Sequence, residues 1–99
     1  MSRLGLALGL LLVCAGCRGP DLIVVDQRGQ PVEGAEITWG MPSFAEKGWT
    51  DAEGEARSSW WNVDQVLVEK AGYRCLTQWV RSYPRPWRVT LLPAKPLDD

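Results

Sequence analysis

From residue 22 onward the chain consists of short segments rich in apolar residues. In several of them apolar and polar positions alternate. Between residues 35 and 39, Ala35, Ile37 and Trp39 alternate with Glu36 and Thr38, so one face of the segment is apolar and the other is polar. Turn residues (Gly, Pro, Asp and Asn) break the pattern about every eight to twelve residues, and helical periodicity never persists. This spacing is typical of an all-β domain.

The pattern predicts seven short strands. They cover residues 22–25, 35–39, a segment ending at 49–50, and residues 55–61, 65–70, 73–80 and 87–92. We expect the first two strands to pair as a hairpin-like unit, and the strand at 55–61 to pair with the one that ends at Thr50. The alternation also predicts an inward-facing set, consisting of Val24, Val32, Ala35, Ile37, Val66, Val68, Val89 and Leu91.

A different pattern precedes the strands. After a positive start at Arg3, residues 4–13 are all Leu, Ala, Gly or Val, and charged and turn residues follow soon afterwards. A membrane-spanning helix needs about 20 apolar residues, so this run is too short to cross a bilayer. A basic start followed by a short apolar run is the pattern of an export signal.

The apolar run ends in Cys14-Ala15-Gly16-Cys17, which resembles the lipobox of bacterial lipoproteins. The resemblance implies cleavage before Cys17 and acylation of that cysteine. Cys14 is the competing site, but it places the bulky Val13 where a small residue is preferred. A redox pair would need a βαβ context, and a structural zinc site would need more ligands than Cys75 alone adds.

The strand region resembles the carboxypeptidase regulatory-like domain, a transthyretin-like or prealbumin-like β-sandwich of bacterial envelope proteins. The stretches VVDQRGQPVEGAEITW, WTDAEGEA, VLVEKAGYR and VTLLP carry the likeness. The matching positions are Asp26, Gly29, Pro31, Val32, Gly34, Ala35, Thr50, Asp51, Gly54, Gly72 and Tyr73. The likeness implies an antiparallel seven-stranded sandwich of transthyretin-like or immunoglobulin-like type, and Ala56 departs from the larger apolar residue usual in the family.

The composition of the chain reduces the number of function classes to consider. The 99 residues carry a formal net charge of −1 and no His, so the commonest general base and metal ligand is missing, and no basic footprint for nucleic acid is present. We therefore expect no enzyme activity, no cofactor, no metal site and no nucleic-acid partner. Asp51, Glu53 and Asp64 are the remaining candidates for carboxylate chemistry.

Six tryptophans are the unusual feature of so small a chain. Exposed indoles bind partners or sugars, whereas buried ones fill a small core. Trp49, Trp61 and Trp87 are the candidate contacts for a ligand or partner, and we expect Trp60 to point inward. Three interpretations stay open for Arg74, Arg81, Arg85 and Arg88, with Tyr83 and Trp87: a cation–π patch, a contact surface for anionic headgroups or glycans, or a solvated face. Cys75 is predicted to be a buried, inert thiol.

These observations predict a non-enzymatic, lipid-anchored protein of the cell envelope, whose β-sandwich is a binding or structural module. The predicted parts are a signal peptide (1–16), a lipidated linker (17–21), the sandwich (22–93) and a tail (94–99). The alternatives are a carbohydrate- or cell-wall-binding module that uses exposed Trp, and a subunit of an envelope protein complex. Arg18 after the cysteine favours the outer membrane in a cell that has two membranes.

Overall fold

The computed structural model describes residues 19–94. The predicted signal segment, Cys17 and residues 95–99 lie outside the described residues. The seven strands are β1 (Leu22–Asp26), β2 (Glu36–Gly40), β3 (Ala45–Trp49), β4 (Glu55–Ala56), β5 (Gln65–Glu69), β6 (Leu76–Trp79) and β7 (Trp87–Leu91). The all-β sandwich predicted from the alternation is therefore confirmed.

The strands form two sheets, one with the order β4-β1-β7 and the other with the order β3-β2-β5-β6. All pairs are antiparallel except β1 and β7, which run parallel with Val24 opposite Val89. The prediction that the first two strands pair is wrong, because they belong to different sheets. The connection between them folds back on β1, where the Val32 N–H donates to the Val24 carbonyl (3.0 Å), and the chain then enters the second sheet.

The inner faces of the two sheets bury the predicted inward set. All eight predicted residues are buried, and most of them are fully inaccessible to solvent. The largest fully buried side chain is Trp39 of β2, which lies in the same cluster as Ala56, Val66 and Leu91. Burying this apolar area is the main favourable contribution to folding in so small a domain.

The fourth strand is much shorter than predicted, and it pairs with β1 rather than with β3. The chain leaves the sheet at Ser58, whose backbone N–H donates to Asp21 (2.6 Å) and whose hydroxyl accepts from the Trp60 N–H (3.0 Å). These local bonds satisfy backbone groups that a longer strand would have paired. Residues 57–64 are therefore a loop, and Trp60 and Trp61 belong to that loop.

The turn before β4 and the preceding Thr50 pack closely against β1 and against the connection between β1 and β2. The Thr50 hydroxyl accepts from the Ala35 N–H (2.9 Å) and donates to the Val32 carbonyl (2.6 Å). Gly54 has a φ of +74°, and a Cβ added there would lie 2.4 Å from the Val24 carbonyl oxygen. This position therefore requires glycine both for its backbone conformation and for the close approach of β1.

We predict that Gly54→Ala destabilises the domain by about 3 kcal/mol, since a left-handed conformation costs about 1–2 kcal/mol and the clash adds a similar amount. The matched control is Gly29→Ala, where φ is +81° but no atom lies within 4 Å of the new Cβ. This control should cost about 1 kcal/mol. Urea unfolding measures both, and equal losses would contradict the close-approach argument.

Candidate functional site

Four segments meet at one end of the sandwich, as the strand registers require. These are the start of the described chain at 19–21 and the loops at 41–44, 57–64 and 80–86. The loops carry exposed aromatic side chains, namely Phe44 (45% exposed), Trp60 (39%), Trp61 (87%) and Tyr83 (62%). We call these four segments the aromatic end, and its apolar surface makes it one candidate functional site.

Asp21 and Arg85 hold the aromatic end together. The carboxylate of Asp21 is almost fully buried, and it accepts from the Ser58 N–H (2.6 Å) and from Arg85 Nη1 (2.9 Å). The other end of the same guanidinium, Nη2, donates to the carbonyls of Trp60 (2.9 Å) and Trp61 (3.0 Å). One arginine therefore fixes the backbone of the tryptophan loop to the start of β1.

The two adjacent tryptophans differ in how they are held. The Trp60 ring makes an edge-to-face contact with Phe44, with centroids 4.9 Å apart, and its Nε1 donates to Glu46 (3.2 Å). Trp60 is thus a surface residue partly covered by the neighbouring loop, and the prediction that it points inward is wrong. Trp61 projects from the same loop and is the most exposed large apolar side chain among residues 19–94.

Trp87 does not belong to the exposed surface. Only 5% of this residue is accessible, its Nε1 donates to the Tyr83 carbonyl (3.0 Å), and the Arg85 guanidinium lies over its ring at 4.6 Å. A buried indole is not available to a ligand, so Trp87 is not a contact residue. The cation–π arrangement considered for this region is present at this pair.

A second candidate site lies at the opposite end of the four-stranded sheet, on its outer face. An open depression of about 520 Å³ is lined by Gly34, Glu36, Trp49, Glu69, Lys70, Ala71, Tyr73 and Cys75. Trp49 ends β3 and is 60% exposed, and the register places it opposite Glu36, which in turn lies opposite Glu69. We call this surface the Trp49 depression.

The charges around the Trp49 depression are mixed. Two carboxylates directly opposite each other on neighbouring strands repel, and Lys47 compensates by an ion pair and hydrogen bond with Glu36. The hydrogen bond and the charge of Glu36, together with the charge of Glu69, raise the pKa of Lys47 above its ordinary value. The depression therefore offers the carboxylates of Glu36 and Glu69 as acceptors and the Lys70 ammonium as a donor beside an aromatic surface.

Cys75 lines this depression and is an exposed free thiol. The prediction of a buried, inert thiol is wrong because β6 begins only at Leu76 and lies at the edge of its sheet. Sequence reasoning also missed Glu36, Glu69 and Phe44 as surface partners of the tryptophans. The alternation in residues 35–39 gave a signal for Glu36, since it placed this residue on the outer face.

Comparison with known protein families and with curated proteins gives no match for this chain. Within residues 19–94 there is no group of three or more side chains suited to hold a metal ion. The same part of the chain contains no helix with the length and apolar character needed to cross a bilayer. The function of the two sites therefore has to follow from the chemistry of their own residues.

We predict that Arg85→Met destabilises the domain by about 3 kcal/mol, because it breaks the ion pair and hydrogen bond that Arg85 makes with the buried Asp21 carboxylate. The loop at 57–64 should also become more sensitive to proteolysis, since its two carbonyls lose their donor. Arg88→Met is the matched control on the exposed face of β7, and it should change the stability by less than about 0.5 kcal/mol. Equal unfolding midpoints for the two variants in urea would contradict the role of Arg85.

Proposed function

We propose that the chain is a non-enzymatic, lipid-anchored protein of the bacterial cell envelope, and that its β-sandwich is a carbohydrate-binding module. The observation that carries the proposal is the position of the exposed Trp49 indole beside two carboxylates and a lysine, at the end of the sheet away from Asp21. The likeness to the carboxypeptidase regulatory-like domain supports the same class of protein.

The anchor is supported by the order of features in the N-terminal sequence. A basic start, ten apolar residues and Ala15-Gly16-Cys17 follow one another, and the first strand begins five residues after Cys17. Two or more acyl chains give stable attachment, whereas one is only marginal. Arg18 after the lipidated cysteine favours sorting to the outer membrane in a cell with two membranes.

Carbohydrate is the ligand class that best fits the Trp49 depression. The flat, half-exposed indole offers an apolar face to a sugar ring, and such a ring presents hydroxyls around its edge. Glu36 and Glu69 accept hydrogen bonds from hydroxyls, while Lys70 donates them. An open, shallow surface suits part of a polymer better than a small metabolite, which is usually enclosed.

The absence of histidine and the contacts of the candidate carboxylates support a binding role rather than catalysis. The chain has no His, so catalysis would depend on carboxylates, lysines, tyrosines or Cys75. Of the carboxylate candidates, Asp51 accepts from the backbone N–H groups of Glu53 and Glu55, and Asp64 pairs with Arg81. These carboxylates act in a turn and an ion pair.

We predict that Cys17→Ala abolishes lipid attachment when the full chain is produced in a bacterial host. Mass spectrometry of the wild-type protein should show a diacylglycerol-modified N-terminal peptide that begins at Cys17, and the variant should retain residues 1–16. The matched control is Cys14→Ala, which leaves the proposed cleavage site intact and should be processed normally. Processing that stops in the Cys14 variant but continues in the Cys17 variant would overturn the assignment.

We predict that Trp49→Ala weakens binding of the protein to isolated cell-wall peptidoglycan and its soluble glycan fragments by about 30-fold, the loss expected for a central aromatic contact. Trp79→Ala is the matched control, because Trp79 is 52% exposed on the same sheet but does not line the depression. Its binding should equal that of the wild type in calorimetric titrations.

A second measurement uses Cys75, which lies in the depression and is exposed. Bound glycan fragments should slow the reaction of this thiol with an alkylating reagent in the wild type, and they should have little effect in the Trp49 variant. Equal binding by the Trp49 and Trp79 variants, or no protection of Cys75 at saturating ligand, would contradict a carbohydrate site here.

A further inference from the structure

The aromatic end has an apolar surface that the proposed carbohydrate site does not use. Phe44, Trp60, Trp61 and Tyr83 come from three different loops, yet their exposed side chains lie at the same end of the strands. Exposed aromatic side chains concentrated at one end of a small domain mark a contact surface. Tryptophan and tyrosine in particular collect at the interface between a bilayer and water, because each has an apolar ring and a polar group.

The position of Asp21, close in the chain to the proposed lipidation site, indicates what this surface contacts. The described chain begins at Gly19, and Asp21 is fixed at the aromatic end by its bonds to Ser58 and Arg85. Asp21 lies four positions after Cys17, so a fully extended tether between them spans at most about 14 Å. A lipid on Cys17 therefore keeps this end, rather than the Trp49 depression, close to the headgroups.

The loop at 57–64, which carries Trp60 and Trp61, is already ordered in the conformation that such a contact requires. The Arg85 guanidinium bonds both tryptophan carbonyls, and the Trp60 ring rests on Phe44, so the backbone that carries Trp61 is fixed while its side chain is exposed. Little ordering of the loop is then required on binding. The charged residues of the four segments are Asp21, Arg57, Asp64, Arg81 and Arg85, a nearly balanced set that suits apolar insertion at the interface.

We propose that the aromatic end docks on the lipid bilayer, with Trp61, Tyr83 and Phe44 inserted at the level of the headgroups. The inference rests on the lipid anchor of the proposed function, since the short tether from Cys17 orients the domain. The sandwich then stands on the membrane with the Trp49 depression directed away from it. A protein partner or a second copy of the chain on the same surface is the competing outcome that the experiment distinguishes.

The test uses the full chain, purified in its acylated form and reconstituted into vesicles of phosphatidylethanolamine and phosphatidylglycerol. Half of the preparations contain the same lipids brominated on the acyl chains near the headgroup, which quench an indole only at short range. We expect brominated vesicles to quench the tryptophan emission of the wild type. Trp61→Phe should remove most of this quenching, whereas Trp49→Phe, at the opposite end, should leave it unchanged.

The outcomes separate this inference from the proposed function. If Cys17 is acylated but the tryptophan emission is equal in brominated and ordinary vesicles, docking is overturned and the anchor remains intact. The same conclusion follows if the quenching is lost in the Trp49 variant rather than in the Trp61 variant. A chain without acylation that still sediments with the vesicles through Trp61 would overturn the anchor but support the lipid-binding surface. A blue-shifted Trp61 emission in the absence of lipid, with dimers in solution, would assign the surface to a second copy and overturn docking.

Discussion

The ion pair between the buried Asp21 carboxylate and the partly exposed Arg85 guanidinium is the interaction on which the aromatic end of this sandwich depends. A carboxylate with 6% of its side chain exposed is unfavourable unless it is paired and hydrogen-bonded. Here one guanidinium compensates the charge and also bonds two loop carbonyls. Because the two residues are 64 positions apart, their contact closes the chain from the start of β1 to the loop before β7.

This pair also shows how a domain with a small core can order its loops. The core of alternating aliphatic residues stabilises the two sheets, but the loop at 57–64 places Trp60 and Trp61 outside that core. Met41, Val63 and Val80 still anchor these loops in the core, and polar contacts add to that burial. Ser58 bonds Asp21 after β4, and Arg85 bonds the carbonyls of Trp60 and Trp61. Arg85 therefore contributes both to the stability of the domain and to the geometry of the exposed aromatic surface.

The sequence predicts features that depend on neighbouring residues, such as which side chains are buried. It does not predict contacts between residues far apart in the chain. Alternation in residues such as Ala35, Ile37 and Trp39 correctly predicts buried faces, since it depends only on neighbouring positions. Strand pairing depends on contacts far apart in the chain, so the parallel pair of β1 with β7 and the ion pair of Asp21 with Arg85 have no local signal. Trp87 is different, because the prediction that it is a contact residue is wrong although a local signal exists. Its spacing from Val89 and Leu91 places all three on the same buried face.

The two candidate sites lie at opposite ends of the strands, and this separation has a physical consequence for the proposed function. A five-residue strand is about 17 Å long, so a domain that stands on its aromatic end holds the Trp49 depression at about that height above the headgroups. In the proposed orientation the depression, on the outer face of the four-stranded sheet, would lie at the end away from the bilayer. On this arrangement the lipid contact fixes the orientation of the domain and the indole of Trp49 contacts the envelope polymer, so binding at one site does not compete with binding at the other.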